Sequence, residues 1–150
     1  SEEVFEKIMN ESRVKPAVLQ IECHPYAQRL AMREKVKPYG IHITCWFPLG
    51  GAMSNGALFK DPTIMKIAEA HGKTPAQVIL RWHMQEGFSA IPGASNPDYI
   101  KENIEIFDFE LTDEEMTRMR DLNKEQRFFN MSLEEKERAY LGKMQIPTNK

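Results

Sequence analysis

Apolar residues recur along this chain at two periods, and the switches between them divide it into helices and short strands. Val4, Phe5, Ile8 and Met9 share one face of residues 2–12, which predicts an amphipathic helix. Residues 17–23 (AVLQIEC) form a mostly apolar run with Gln20 and Glu22 inside it; closed by His24-Pro25, it reads as a buried strand. A basic helix is expected over 27–38, stopped by Pro38-Tyr39-Gly40. Residues 41–47 (IHITCWF) are β-branched and aromatic and predict a second buried strand, ending at Pro48-Leu49-Gly50-Gly51. A Gly-rich loop leads to Asp61-Pro62, the start of a helix carrying Ile64, Ile67 and Ala68. Thr74-Pro75-Ala76-Gln77 is a capping box that opens a helix ending near Gln85.

A third strand over 88–91 runs into Pro92-Gly93, and Asn96-Pro97 supplies an N-cap and a first helical residue for the next helix. Gly93 lets backbone approach a ligand. The free N–H groups of that first turn, with the Ser95 hydroxyl, make either a potential anion site or simply a turn. Residues 107–110 read as an extended connector. Capping boxes at Thr112–Glu115 and Ser132–Glu135 open two further helices, the first running to about Leu122. The end of the chain, past Gly142, is expected to be loosely held.

Buried strands alternating with helices predict a parallel sheet of βαβ units. Three strands are few for such a sheet. They leave two bare edges, whereas a closed barrel of this kind needs eight strands and about 250 residues. The chain also opens inside a helix without an initiator methionine, so it reads as part of something larger, with sequence missing before Ser1.

Composition narrows the function classes. A 41% hydrophobic and 28% charged chain of 150 residues is an ordinary globular one with room for a core. A net charge of −2 with scattered basic residues argues against nucleic-acid and membrane-surface roles, and no apolar run has spanning length. Cys23 and Cys45 lack metal-ligand spacing and read as reduced, buried thiols of a cytosolic protein; His42, His71 and His83 show no metal-like spacing either. No metal site is expected.

Five motifs then stand in order: Gln20-Ile21-Glu22-Cys23-His24-Pro25-Tyr26, Trp46-Phe47-Pro48-Leu49-Gly50, Lys73-Thr74-Pro75-Ala76-Gln77-Val78, Ile91-Pro92-Gly93-Ala94-Ser95 with Glu102-Asn103, and Phe107-Asp108-Phe109-Glu110-Leu111. Together they resemble the aldo-keto reductases, over residues 17 to about 122. The resemblance implies the C-terminal half of a (β/α)8 TIM barrel: strands six to eight with their helices, plus an extra C-terminal helix. On that reading the chain is a single region, with barrel elements and extra helix over 1–122 and a tail over 123–150.

The resemblance also implies roles. Gln20 would bond the nicotinamide carboxamide and Trp46 would stack on the nicotinamide face. Leu49, Gly50, Gly51 and Ser54 would wrap the pyrophosphate. Gly93, Ala94, Ser95 and Asn96 would receive the adenosine phosphate, and Glu102 and Asn103 would contact adenine. The residues agree with this independently: alternation puts Gln20 and Glu22 on one strand face, and every proposed ligand position lies at a C-terminal strand end, where barrel sites are built. Trp46 reads as a core aromatic or as the stacking residue, and within the resemblance its place at a strand end beside Pro48-Leu49-Gly50 favours stacking. Glu22 is either a hydrogen-bonded barrel residue or a partner to a lysine outside this chain. His24, in the His-Pro that ends its strand, reads as structural rather than catalytic. Arg127-Phe128-Phe129-Asn130 falls where the family's substrate-selecting loop lies, so its phenylalanines either line a carbonyl pocket or pack on the barrel wall.

Two departures matter. Many relatives that prefer NADPH carry lysine and arginine where this chain has Gly93 and Tyr99, which leaves the preference between NADPH and NADH open; other members with a Gly-Ala-Ser turn use NADPH, so NADP is the expected cofactor with NAD possible. The family's catalytic tyrosine, lysine, aspartate and histidine belong to the first half of the barrel, and no catalytic residue is expected here. The expectation is thus an NAD(P)H-dependent reductase of small carbonyl substrates, of which these residues supply the cofactor-binding half. The alternative is a non-catalytic half-barrel that binds nucleotides or assembles with itself or a separate N-terminal half.

Overall fold

Alternation decides which way each strand faces. The computed structural model describes residues 2–140 and contains three parallel strands, β1 (Val18–Glu22), β2 (His42–Trp46) and β3 (Ser89–Ala90), in the spatial order β1-β2-β3. Leu19, Ile21, Ile43 and Cys45 pack on one side, against Phe5 and Met9 of α1 (Glu2–Glu11) and Met32 and Val36 of α2 (Leu30–Val36). Val18, Gln20 and Glu22 therefore face the other side, and register places them beside His42, Thr44 and Trp46. Val18 and Gln20 there are exposed. Helices thus cover one face of a sheet whose strands lie in chain order. That is a segment of a (β/α)8 barrel with its interior open, not a doubly wound sheet.

The second core lies farther along. α3 (Pro62–His71), α4 (Pro75–Gln85) and α6 (Asp113–Asp121) bury Ile64, Ile67, Val78, Ile79, Trp82, Met116 and Met119 together. Local chemistry starts these three helices where the sequence predicts. Asp61 accepts hydrogen bonds from the Thr63 and Ile64 N–H groups, and both halves of the capping boxes at Thr74 and Thr112 are formed. Asn96 accepts from Asp98 N–H to start α5 (Pro97–Ile104). The Ser132–Glu135 box is also made, at the head of α7 (Leu133–Tyr140).

α2 begins at Leu30, not at residue 27. The turn before it is held by distant structure. The buried Gln28 side chain donates to Met119 O at 2.8 Å and Arg120 O at 3.1 Å, satisfying carbonyls at the end of α6. Gln28 N–H donates to Asn123 Oδ1, and the Lys124 and Gln126 N–H groups both donate to Tyr26 O. Residues 24–29 are thus a clasp for the chain after α6. The strands are shorter than their apolar runs, β3 most of all, although Ile91 N–H still reaches Cys45 O at 3.0 Å. The expectation for the chain past Gly142 lies outside the described residues.

Candidate cofactor site

Two clefts lie at the C-terminal ends of the strands, and a strained loop joins them. After β2 the chain turns through Phe47, at φ 56°, then Gly50 and Gly51, at φ 77° and 53°. A Cβ on Gly51 would stand 2.6 Å from the Phe47 ring, and one on Gly50 would stand 2.8 Å from Ser54 Cβ. Both positions need glycine on conformation and on space. Ser54 is buried; its hydroxyl donates to Gly51 O at 2.9 Å and accepts from Gly56 N–H at 3.2 Å, so it shapes the loop from within.

The first cleft, a cavity of about 430 Å³, brings together six of the expected site residues: Leu49, Gly51, Gly93, Ala94, Glu102 and Asn103. Its walls come from the loop after β2, the turn after β3 and the inner flank of α5. Phe59, Tyr99 and the Thr74-Pro75-Ala76 start of α4 complete it. Thr74 and its neighbours were legible as a cap and a motif, but nothing in their spacing marked them as lining. The cap itself fixes the wall: the Thr74 hydroxyl donates to Glu102, and Gln77 Nε2 donates to Glu102 O at 3.2 Å and Glu105 O at 3.0 Å. Ser95 and Asn96 are exposed and do not line the cavity; the Asn96 side chain is spent on the helix cap. No Lys or Arg lines it, and its carboxylate is Glu102.

The second cleft, about 420 Å³, holds Gln20, Glu22 and Trp46 together with Arg29, Arg127 and Phe129. Glu22 binds the chain after α6. Its carboxylate accepts from Arg127 Nε at 2.8 Å, Phe128 N–H at 2.6 Å and Phe129 N–H at 3.0 Å, and faces His24 Nε2 at 3.4 Å. Burial pushes the Glu22 carboxyl up, but the bonds from His24, Phe129, Arg127 and Phe128 outweigh it and bring it down to about 2. The two phenylalanines divide. Phe128 stacks on His24 at 4.6 Å and joins the wall, whereas Phe129 meets the Trp46 ring edge-on at 5.0 Å. Trp46 also leans on Phe47 at 4.3 Å, which carries the second cleft round to Gly51 and the first.

The chain has known relatives. A model described as the aldo/keto reductase family matches residues 1–124, and the chain belongs to that family. It is 42% identical over 131 residues to morphine 6-dehydrogenase of Pseudomonas putida, covering 81% of this chain and 44% of that protein. It is 40% identical over 121 residues to 9,11-endoperoxide prostaglandin H2 reductase of Trypanosoma cruzi, covering 81% and 42%. Among solved structures, a Gox0644 mutant in complex with NADPH superposes with a TM-score of 0.78 at 38% identity, over 88% of this chain and 46% of that one. An aldo-keto reductase from a deep-sea metagenome gives 0.80 at 28% identity, over 84% and 46%. The chain spans less than half the length of these relatives.

Proposed function

We propose that these residues are the cofactor-binding half of an NAD(P)H-dependent reductase of aldehydes or ketones. The carrying observation is the 430 Å³ cavity, where the loop after β2 meets the turn after β3 and the Glu102-Asn103 pair. A barrel places phosphate sites after its last two strands, and the adenosine end of a dinucleotide fits that place. Gln20 and Trp46 line the neighbouring cleft, which on this reading takes the nicotinamide end. The NADPH bound to the Gox0644 mutant supports this choice of ligand. The cofactor supplies the hydride; the residues here bind and orient it. The proton donor comes from the first half of the barrel, which closes over the exposed face carrying Val18 and Gln20. Residues 1–150 act as one region, and the chain alone is inactive, since a positioned general acid is worth about 10²- to 10⁴-fold.

Amide hydrogen exchange with and without NADPH tests the placement. Protection is expected at Leu49–Ser54 and Gly93–Asn103. Protection elsewhere, with these segments unchanged, would remove the proposal. Cofactor preference gives a second test. A Cβ on Gly93 meets nothing within 4 Å, so Gly93→Lys is accommodated without displacement. The added ammonium can pair with a 2'-phosphate, and such a charge-assisted bond is worth about 1.5–3 kcal/mol. The ratio of NADPH to NADH affinity, measured by calorimetry, is expected to rise about tenfold or more.

A further inference from the structure

We infer that Arg29 makes the second cleft a subsite for a carboxylate, so that the carbonyl compounds taken there are oxo acids. This rests on the reading of that cleft as the nicotinamide end. Arg29 lines it together with Gln20, Glu22, Trp46, Arg127 and Phe129. The Arg29 Nε is closed off from solvent and has no hydrogen-bond partner, and its guanidinium makes no ion pair among the described residues. Buried N–H groups left unpaired are rare in folded proteins, because the hydration they lose is not replaced. An acceptor brought by a ligand supplies what the fold does not.

The neighbouring charges are already engaged. Arg127 donates from Nε to Glu22 at 2.8 Å and from its guanidinium to Phe129 O at 2.9 Å. Glu22 also takes the Phe128 and Phe129 N–H groups and faces His24. Glu2 feels the Arg29 charge, but it is exposed and bonds Lys35 Nζ at 3.0 Å. Two guanidiniums against one carboxylate leave the cleft lining with a surplus positive charge, and Arg29 carries it. The backbone holds Arg29 there at a cost. Its φ of 57° and ψ of 39° are left-handed, a region where a Cβ is crowded. Both neighbours fix it: the Gln28 side chain is bonded to Pro25, Met119 and Arg120 carbonyls, and Leu30 N–H meets Glu125. A strained residue lining a cleft is a mark of function.

The donor chemistry selects the group. A guanidinium fork matches a carboxylate through paired, charge-assisted hydrogen bonds. One carboxylate balances the surplus charge, whereas a phosphate dianion overshoots it. A molecule with its carbonyl at the nicotinamide and its carboxylate at Arg29 is held at both ends inside a cleft of about 420 Å³, which orients the carbonyl for hydride transfer. Arg29 thus selects and orients the substrate. It moves neither hydride nor proton.

The test is an NMR titration of the full nitrogen-15-labelled chain, with and without NADPH, against levulinate and against levulinamide, its uncharged amide. The Arg29 Nε–H signal, identified by its loss in Arg29→Gly and Arg29→Lys, is expected to shift with levulinate, which should bind about tenfold or more tightly than the amide. Arg29→Gly is expected to abolish that preference; glycine suits the left-handed backbone, so the variant should fold. Arg29→Lys keeps the charge without the fork and should retain part of the preference. Equal binding of the two ketones, a preference that survives in folded Arg29→Gly, or an Arg29 signal that moves with NADPH and not with levulinate would each overturn the subsite. Amide shifts at Gly93–Asn103 on adding NADPH report on the cofactor site separately. Their absence would remove the cofactor reading, whereas their presence without a carboxylate preference would remove the subsite alone.

Discussion

Replacing Trp82 with alanine is expected to cost about 3–5 kcal/mol of folding stability, read as a lowered midpoint in urea denaturation. Trp82 is the largest fully buried side chain among the described residues, at the centre of the cluster joining α3, α4 and α6. Three helices around an indole-sized void can relax only in part, so both the transfer energy and a cavity term are lost. The effect reaches the site. α4 begins at the Thr74 cap, and that cap and Gln77 hold α5 by Glu102 and Glu105. Loosening α4 should therefore weaken dinucleotide binding, although Trp82 itself does not line the cavity.

Glu22→Gln is expected to release residues 127–129 from the end of β1, while the Tyr26 and Gln28 contacts still hold residues 123–126. The carboxylate holds Arg127, Phe128 and Phe129 at once, and charged hydrogen bonds of this kind contribute about 1.5–3 kcal/mol. The amide keeps one acceptor but presents two N–H groups toward a cluster made of donors. Proteolysis near Arg127 should accelerate in the variant. The pH dependence has a definite sign. Glu22 falls from an ordinary 4.5 to about 2 on folding, so its contribution is complete above pH 4.5 and is lost as pH drops from there toward 2. Acid titration of stability should lose that segment in Glu22→Gln, and an unchanged acid limb would exclude the anchoring role.

What was legible in the sequence was what local chemistry decides. Asp61, Thr74, Asn96 and Thr112 each cap a helix with their own side chain, so the starts of α3 to α6 followed from short patterns. The glycines at 50 and 51 and the turn at 93 and 94 were legible for the same reason. The start of α2 was not, because Gln28 is occupied by carbonyls of α6 more than ninety residues away. Local sequence does not decide between two roles for Glu22, since its partners Arg127 to Phe129 lie more than a hundred residues downstream. Spacing does not separate Phe128 from Phe129; in the fold Phe128 stacks on His24 and Phe129 meets Trp46.

Tryptophan fluorescence titrated with NADPH and NADH tests the central claim most directly. Trp46 is half-buried in the second cleft, whereas Trp82 is sealed in the core, so the two report separately. Saturable quenching is expected in the unaltered chain, with Trp46→Phe losing it while the Trp82 emission persists, and Gln20→Ala weakening it. A folded chain whose Trp46 emission responds to neither dinucleotide would contradict the claim that these residues form a cofactor site.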